Sequence, residues 1–181
     1  AAKRPMIVVG GGALNAAEEV LELAEMLQAP VSSFRSGRGI VSDDHYLGVN
    51  LPAGYKLWGE ADLVIGIGTR LQLQQQYWGV DDNLKIIRID IDPEEIDRIN
   101  TPEVGIVSDA KVALTALNST LNRTLGKRES RKEELLTLKA TVRTAIEGVQ
   151  PQMSYLDVIR EELPRDGIFC DEITQVGYTS W

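Results

Sequence analysis

At 181 residues the chain is long enough for one well-buried core and part of a second. Its 43% hydrophobic and 25% charged content is that of an ordinary globular protein, and a net charge of −8 disfavours nucleic acid and anionic membranes, which recruit basic patches. The single cysteine, Cys170, excludes an internal disulfide framework, and no stretch approaches the ~20 apolar residues of a membrane span; with no hydrophobic signal region behind Ala1-Ala2-Lys3-Arg4, a cytoplasmic setting is expected.

The chain opens with a short apolar strand, Ile7–Val9, three glycines (Gly10, Gly11 and Gly12) and a helix expected to begin at once. That helix is placed over Ala16–Leu27, where Ala17, Val20, Leu21, Ala24 and Leu27 form an apolar stripe at 3/4 spacing. Val31–Phe34 reads as the second strand. After a loop carrying Gly37 and Gly39, Tyr46–Val49 is a short third strand and Ala53–Gly59 a brief helix. Asp62–Gly68 is nearly continuous in apolar residues, as a strand buried on both faces should be. Lys85–Asp90 follows, and Asp92 before Pro93-Glu94-Glu95 is expected to cap the next helix. Gly105–Val107 is the last strand of the series, and Asp109 is placed as the N-cap of a helix over Ala110–Leu121.

Strands alternating with helices imply right-handed crossovers and a doubly wound α/β fold: a Rossmann-like, mostly parallel six-stranded sheet with helices on both faces. This domain is expected to occupy residues 1–125. Residues 126–150 read as a charged helical linker, broken at Gln150-Pro151. Residues 151–181 read as a truncated start of another domain. There Ser154 is expected to cap a helix through Leu163, with Asp157 completing a weak capping box, and Gly167–Asp171 to form a strand.

The glycine loop admits two readings. Helix N-termini above a sheet present free N–H groups to anions, phosphates above all. Alternatively, the glycines serve only a tight strand-to-helix connection. Asn15 stands where the third glycine of G-x-G-x-x-G belongs, and the second strand runs into Arg35-Ser36-Gly37-Arg38-Gly39, with no carboxylate for a ribose hydroxyl. Dinucleotide binding of the NAD type is therefore not expected.

A complete active site is absent from the sequence pattern. His45 is the single histidine, reads as a surface loop residue, and cannot make a metal site alone. No nucleophile elbow and no Walker lysine are present. Polar residues instead gather at the carboxyl ends of strands, where open α/β sheets bind ligands. Arg70 offers a planar fork to a phosphate or else pairs with a neighbouring aspartate; Asp90 is an acceptor for a ribose or adenine group.

The motif series resembles a known family. Arg4-Pro5-Met6-Ile7-Val8-Val9-Gly10-Gly11-Gly12, Ala29-Pro30-Val31, Gly37-Arg38-Gly39 and Asp44-His45 come first in order, with Leu47-Gly48 after them. Glu60 to Arg70, Ile87 to Ile96 and Val107-Ser108-Asp109-Ala110 complete the series. Together these resemble the central domain of thiamine-diphosphate-dependent enzymes of the acetolactate synthase and benzoylformate decarboxylase group, from about Arg4 to Leu125. Asp157–Trp181 is similar to the beginning of that family's diphosphate-binding domain.

The resemblance implies a larger parent acting on 2-oxo acids, cleaving or forming a carbon–carbon bond next to a carbonyl with thiamine diphosphate and Mg2+. The activating glutamate and the G-D-G…N motif would lie in amino- and carboxyl-terminal domains, so this chain alone is expected to be inactive and to carry no catalytic or metal-binding residues. Partners would be those domains and further copies, as a homodimer or homotetramer. The crevice candidates implied are Gly10, Gly11, Gly12, Arg70, Asp90, Ile91 and Asp109. FAD or ADP is a weakly supported occupant: Gly68-Thr69-Arg70 runs into Leu71-Gln72-Leu73-Gln74-Gln75-Gln76, without the second arginine of the flavin-binding synthases, and Ser108 replaces the usual glycine. Two other readings stay open, a stand-alone nucleotide- or flavin-binding module ending naturally at Trp181, and a ligand-free assembly domain.

Overall fold

Five consecutive buried residues, Pro5–Val9, form β1, and the sheet grows outward from it on both sides. In the computed structural model, which describes residues 2–180, the remaining strands are β2 (Val31–Ser33), β3 (Gly48–Val49), β4 (Leu63–Ile67), β5 (Lys85–Asp90) and β6 (Val104–Val107). Their order is β3-β2-β1-β4-β5-β6, and every pairing is parallel. This is the expected doubly wound, Rossmann-like α/β sheet. Strand order reverses between β1 and β4, whose registers match Ile7 to Ile65 and Val9 to Ile67. Trp181 lies outside the described residues.

The helices are α1 (Ala17–Leu27), α2 (Leu51–Trp58), α3 (Pro93–Ile96), α4 (Ala110–Thr124), α5 (Lys132–Ile146), α6 (Gln152–Glu162) and α7 (Gln175–Thr179). In α1 the buried stripe is Val20, Leu23, Ala24 and Leu27; Leu23 takes the core position expected of Leu21. α2 begins two residues before the expected Ala53 because the Asn50 side chain accepts from the Ala53 N–H at 3.2 Å. The two predicted aspartate caps are present: Asp92 accepts from Glu94 N–H at 2.9 Å and Asp109 from Val112 N–H at 3.2 Å. α4 is fastened to α1 through buried Asn118, whose amide donates to the Glu19 carbonyl and to Glu22 Oε2, both at 2.9 Å.

The chain divides into two compact units, one ending at Leu136 and the other beginning at Thr137. In the second unit, Arg143 Nη2 donates to both Asp157 carboxylate oxygens, at 2.7 and 2.9 Å. Asp157 is thus an ion-pair partner rather than part of a capping box. Ser154 does not cap α6, which starts at Gln152; its hydroxyl donates to Gln150 Oε1 at 2.7 Å. No strand forms over Gly167–Asp171, where Ile168 is 85% exposed. A strand needs a neighbouring edge to satisfy its backbone, and the second unit contains none among the described residues.

Candidate functional site

The loops leaving β1 and β4 meet backbone to backbone at the point where strand order reverses. Gly10 N–H donates to the Ile67 carbonyl at 3.1 Å, Gly12 N–H to the Gly68 carbonyl at 3.1 Å, and Gly68 N–H to the Ile89 carbonyl at 2.8 Å. Gly68 has φ +54°, and a Cβ there would stand 2.5 Å from Gly12 Cα. The glycines are therefore required for close approach. The expected helix does not begin at once: residues Gly11–Ala16 form a 3-10 turn, with Ala13 and Ala16 buried, before α1 starts at Ala17.

Above this junction lies a cleft of about 510 Å³. Val9, Gly10 and Gly11 form one wall, Phe34 and Ser36 follow from the end of β2, and Gly68 to Gln74 with Tyr77 make the opposite wall. Leu71 holds φ +52°, and a π-helical turn over Gln74–Trp78 carries the cleft's far side. Such turns are frequent at functional sites. The wall is secured from below by Arg88, which is 1% exposed and donates from Nη2 to the Thr69 carbonyl at 2.8 Å. Burial lowers the Arg88 pKa, opposed by the charges of Asp90 and Glu95.

Of the sequence candidates, Gly10, Gly11 and Arg70 line the cleft. Gly12 backs onto Gly68 instead. Asp90, Ile91 and Asp109 belong to the ends of β5 and β6 and do not line it. Asp90 Oδ1 accepts from Asp92 N–H at 3.2 Å and Oδ2 lies 3.9 Å from Arg88, Asp109 is the cap of α4, and Ile91 is 70% exposed. Arg70 pairs with neither neighbouring aspartate: its Nε lies 3.5 Å from Glu95 Oε1, and Glu95 is also bonded by Arg98. His45 is half-buried, with Nε2 3.5 Å from Glu25, and stands apart from the cleft-lining residues.

Phe34, Gln74 and Tyr77 were not among the sequence candidates. The glutamine run Gln74-Gln75-Gln76 was their one visible signal, and it marked a departure from the flavin pattern rather than a site. Among the described residues, no group of three or more His, Cys, Asp or Glu is placed to hold a metal ion.

The model of the thiamine pyrophosphate enzyme central domain matches residues 1–117. A probable 2-ketoarginine decarboxylase of Pseudomonas aeruginosa is 32% identical over 99% of this chain and 33% of its own length. A probable acetolactate synthase large subunit of Methanococcus aeolicus is 35% identical over 87% of the chain and 28% of its own length. A glyoxylate carboligase of Escherichia coli O157:H7 is 40% identical over 64% and 21%. The chain thus spans a third or less of each of these relatives. With a parallel six-stranded sheet, a glycine junction at its switch point and this family match in hand, the chain belongs to the thiamine pyrophosphate enzymes as their central domain.

Proposed function

We propose that this chain is the central scaffold of a thiamine-diphosphate-dependent enzyme that decarboxylates or ligates 2-oxo acids. The observation that carries the reading is the family match over residues 1–117, joined to relatives named as a decarboxylase, a synthase and a carboligase. 2-Ketoarginine and glyoxylate share a carbonyl next to a carboxylate. Thiamine diphosphate supplies an electron sink for that carbon when bound. The residues that hold the diphosphate and its Mg2+ are assigned to the other domains of the parent enzyme, and no step is assigned to residues of this chain. Residues 126–150 serve as a linker and residues 151–181 open the diphosphate-binding domain, whose remaining strands would pair with the segment around Phe169. The amino- and carboxyl-terminal domains are the chain's partners, assembled as a homodimer or homotetramer in the cytoplasm.

Within that enzyme the glycine junction keeps β1 and β4 at the spacing the sheet needs, and Gly10, Gly11, Gly12 and Arg70 shape the crevice beside it. Asp90 and Asp109 serve the sheet's edge instead, Asp90 beside Arg88 and Asp109 as the cap of α4. The stand-alone module and the ligand-free assembly domain are not favoured by relatives that extend so far beyond the length of this chain.

The test is turnover by the product of the complete reading frame, given pyruvate, glyoxylate or 2-ketoarginine. Activity that requires added thiamine diphosphate and Mg2+, with none from the 181-residue chain alone, is the expected result. Turnover by the chain alone, or turnover indifferent to the cofactor, overturns the reading.

A further inference from the structure

A second cavity, of about 250 Å³, opens at the other end of the sheet from the switch-point cleft. Ala61 and Leu84 line it and lead into the amino ends of β4 and β5, and it shares no lining residue with the cleft. Its aromatic walls are Trp58, from the end of α2, and Trp78, from the π-helical turn. The two indoles meet edge to face, with centroids 5.8 Å apart and planes at 74°. Tyr55 contacts Trp78 in the same manner, at 5.5 Å and 70°. The Trp58 Nε1–H donates to the Gly79 carbonyl at 2.7 Å, which fixes the ring and leaves that indole no donor for a ligand. Rings at this angle bound a corner with a π face on each side, not a slot between parallel plates.

A carboxylate stands beside this corner. Asp81 lines the cavity, and its Oδ1 accepts from Asn83 N–H at 2.8 Å and Leu84 N–H at 2.9 Å. Its Oδ2 makes no hydrogen bond or ion pair among the described residues. No Lys or Arg lines the cavity, and Lys85, next along the chain, pairs with Glu103 at 3.2 Å. Asp82 follows Asp81, and the chain carries a net charge of −8, so the field favours a cation.

We propose that this corner binds the methylated ammonium group of a small free cation of the choline class, held on the Trp58 and Trp78 faces with Asp81 as its counter-charge. An indole face attracts a cation through its quadrupole, most strongly where water is displaced. A methylated ammonium needs no hydrogen-bond acceptors, and its round shape fills a corner. A guanidinium brings five donors and a flat shape, which a single carboxylate and a bent wall serve poorly. The cavity is smaller than the roughly 300 Å³ at which drug-sized pockets begin, and suits one headgroup. The inference goes beyond the scaffold role and does not rest on the 2-oxo acid chemistry.

The test is titration of the 181-residue chain with choline at constant ionic strength, followed by the indole N–H signals of Trp58 and Trp78 in NMR spectra. The expected result is saturable shifts of both signals with a Kd of about 10 mM or tighter. The uncharged isostere 3,3-dimethylbutan-1-ol should bind at least about fivefold more weakly, which tests the charge without altering the protein. Asp81→Asn keeps the Oδ1 acceptor of the turn, so the melting temperature should hold while choline weakens by about threefold or more. Choline shifts that do not saturate by about 50 mM, an isostere within about fivefold of choline, or an asparagine variant within about threefold of the parent each overturn the proposal. A trimethyllysine peptide bound about tenfold or more tighter than choline also overturns it, since the site would then read a protein side chain. None of these readouts uses turnover, so their failure is distinct from failure of the enzyme assignment.

Discussion

Gly12 and Gly68 fasten the two halves of the sheet: the Gly12 N–H donates to the Gly68 carbonyl at 3.1 Å, and no methyl group fits between them. The contact sits at the switch between β1 and β4, so whatever holds it also holds the floor of the cleft. A Cβ at Gly68 meets Gly12 backbone and also forces a side chain into φ +54°. Left-handed backbone costs roughly 1–2 kcal/mol and overpacking roughly 1–3 more. Gly68→Ala is therefore expected to lose about 3 kcal/mol in urea denaturation. Gly39→Ala is the control, with φ +86° and open space around it, and should lose about 1 kcal/mol. Equal losses at the two positions contradict the close-contact account.

Arg88 is a buried cation whose Nε and Nη1 have no partner, held by the Thr69 carbonyl and a 3.9 Å approach to Asp90. Arg88→Ala removes a packed side chain and leaves that carbonyl unpaired. A loss of about 3 kcal/mol or more is expected. Arg88→Met refills the volume and should lose less than about half as much. A methionine variant as unstable as the alanine variant would mean that the guanidinium's bond, not its packing, dominates.

Glu134 titrates at about 2, held there by hydrogen bonds from Arg131 and then Arg4 that outweigh its partial burial. A carboxylate depressed on folding stabilises the folded state fully above its unfolded pKa of about 4.5 and loses that contribution as pH falls toward 2. The side chain is 40% exposed, so solvent screening limits the gain to about 1 kcal/mol. Glu134→Gln should be less stable than the parent chain at pH 6 and match it near pH 2 in denaturant midpoints. A gap that persists at pH 2 would assign the loss to something other than ionisation.

Asp109 caps α4, and Asp109→Ala should lower stability by about 1 kcal/mol while Asp109→Ser restores most of it. Thermal melts of the two variants measure this. A serine variant as unstable as alanine would count against a capping role.

Much of the fold was legible because its signals are local. Near-continuous apolar runs at Asp62–Gly68 and Lys85–Asp90 give buried parallel strands, and aspartates at 92 and 109 mark the helix starts that the structure shows. What escaped depends on tertiary contact. The 3-10 turn at Gly11–Ala16 buries Ala13 and Ala16, a placement that no periodicity encodes. Gly167–Asp171 has the composition of a strand, but its own unit holds no strand to pair with among the described residues. Arg70 found Glu95 rather than an aspartate because α3 brings that glutamate back over the end of β4, twenty-five residues later in sequence. Gln74 entered the cleft through a π-helical turn that displaces it from ordinary helical spacing.

The central claim, that this domain is the scaffold of a larger thiamine-diphosphate enzyme, is tested most directly by sequencing the coding DNA on both sides of residues 1–181. The account predicts one uninterrupted reading frame, with a domain bearing the activating glutamate upstream and a G-D-G…N motif downstream. A start codon immediately before Ala1 together with a stop codon after Trp181 would contradict it.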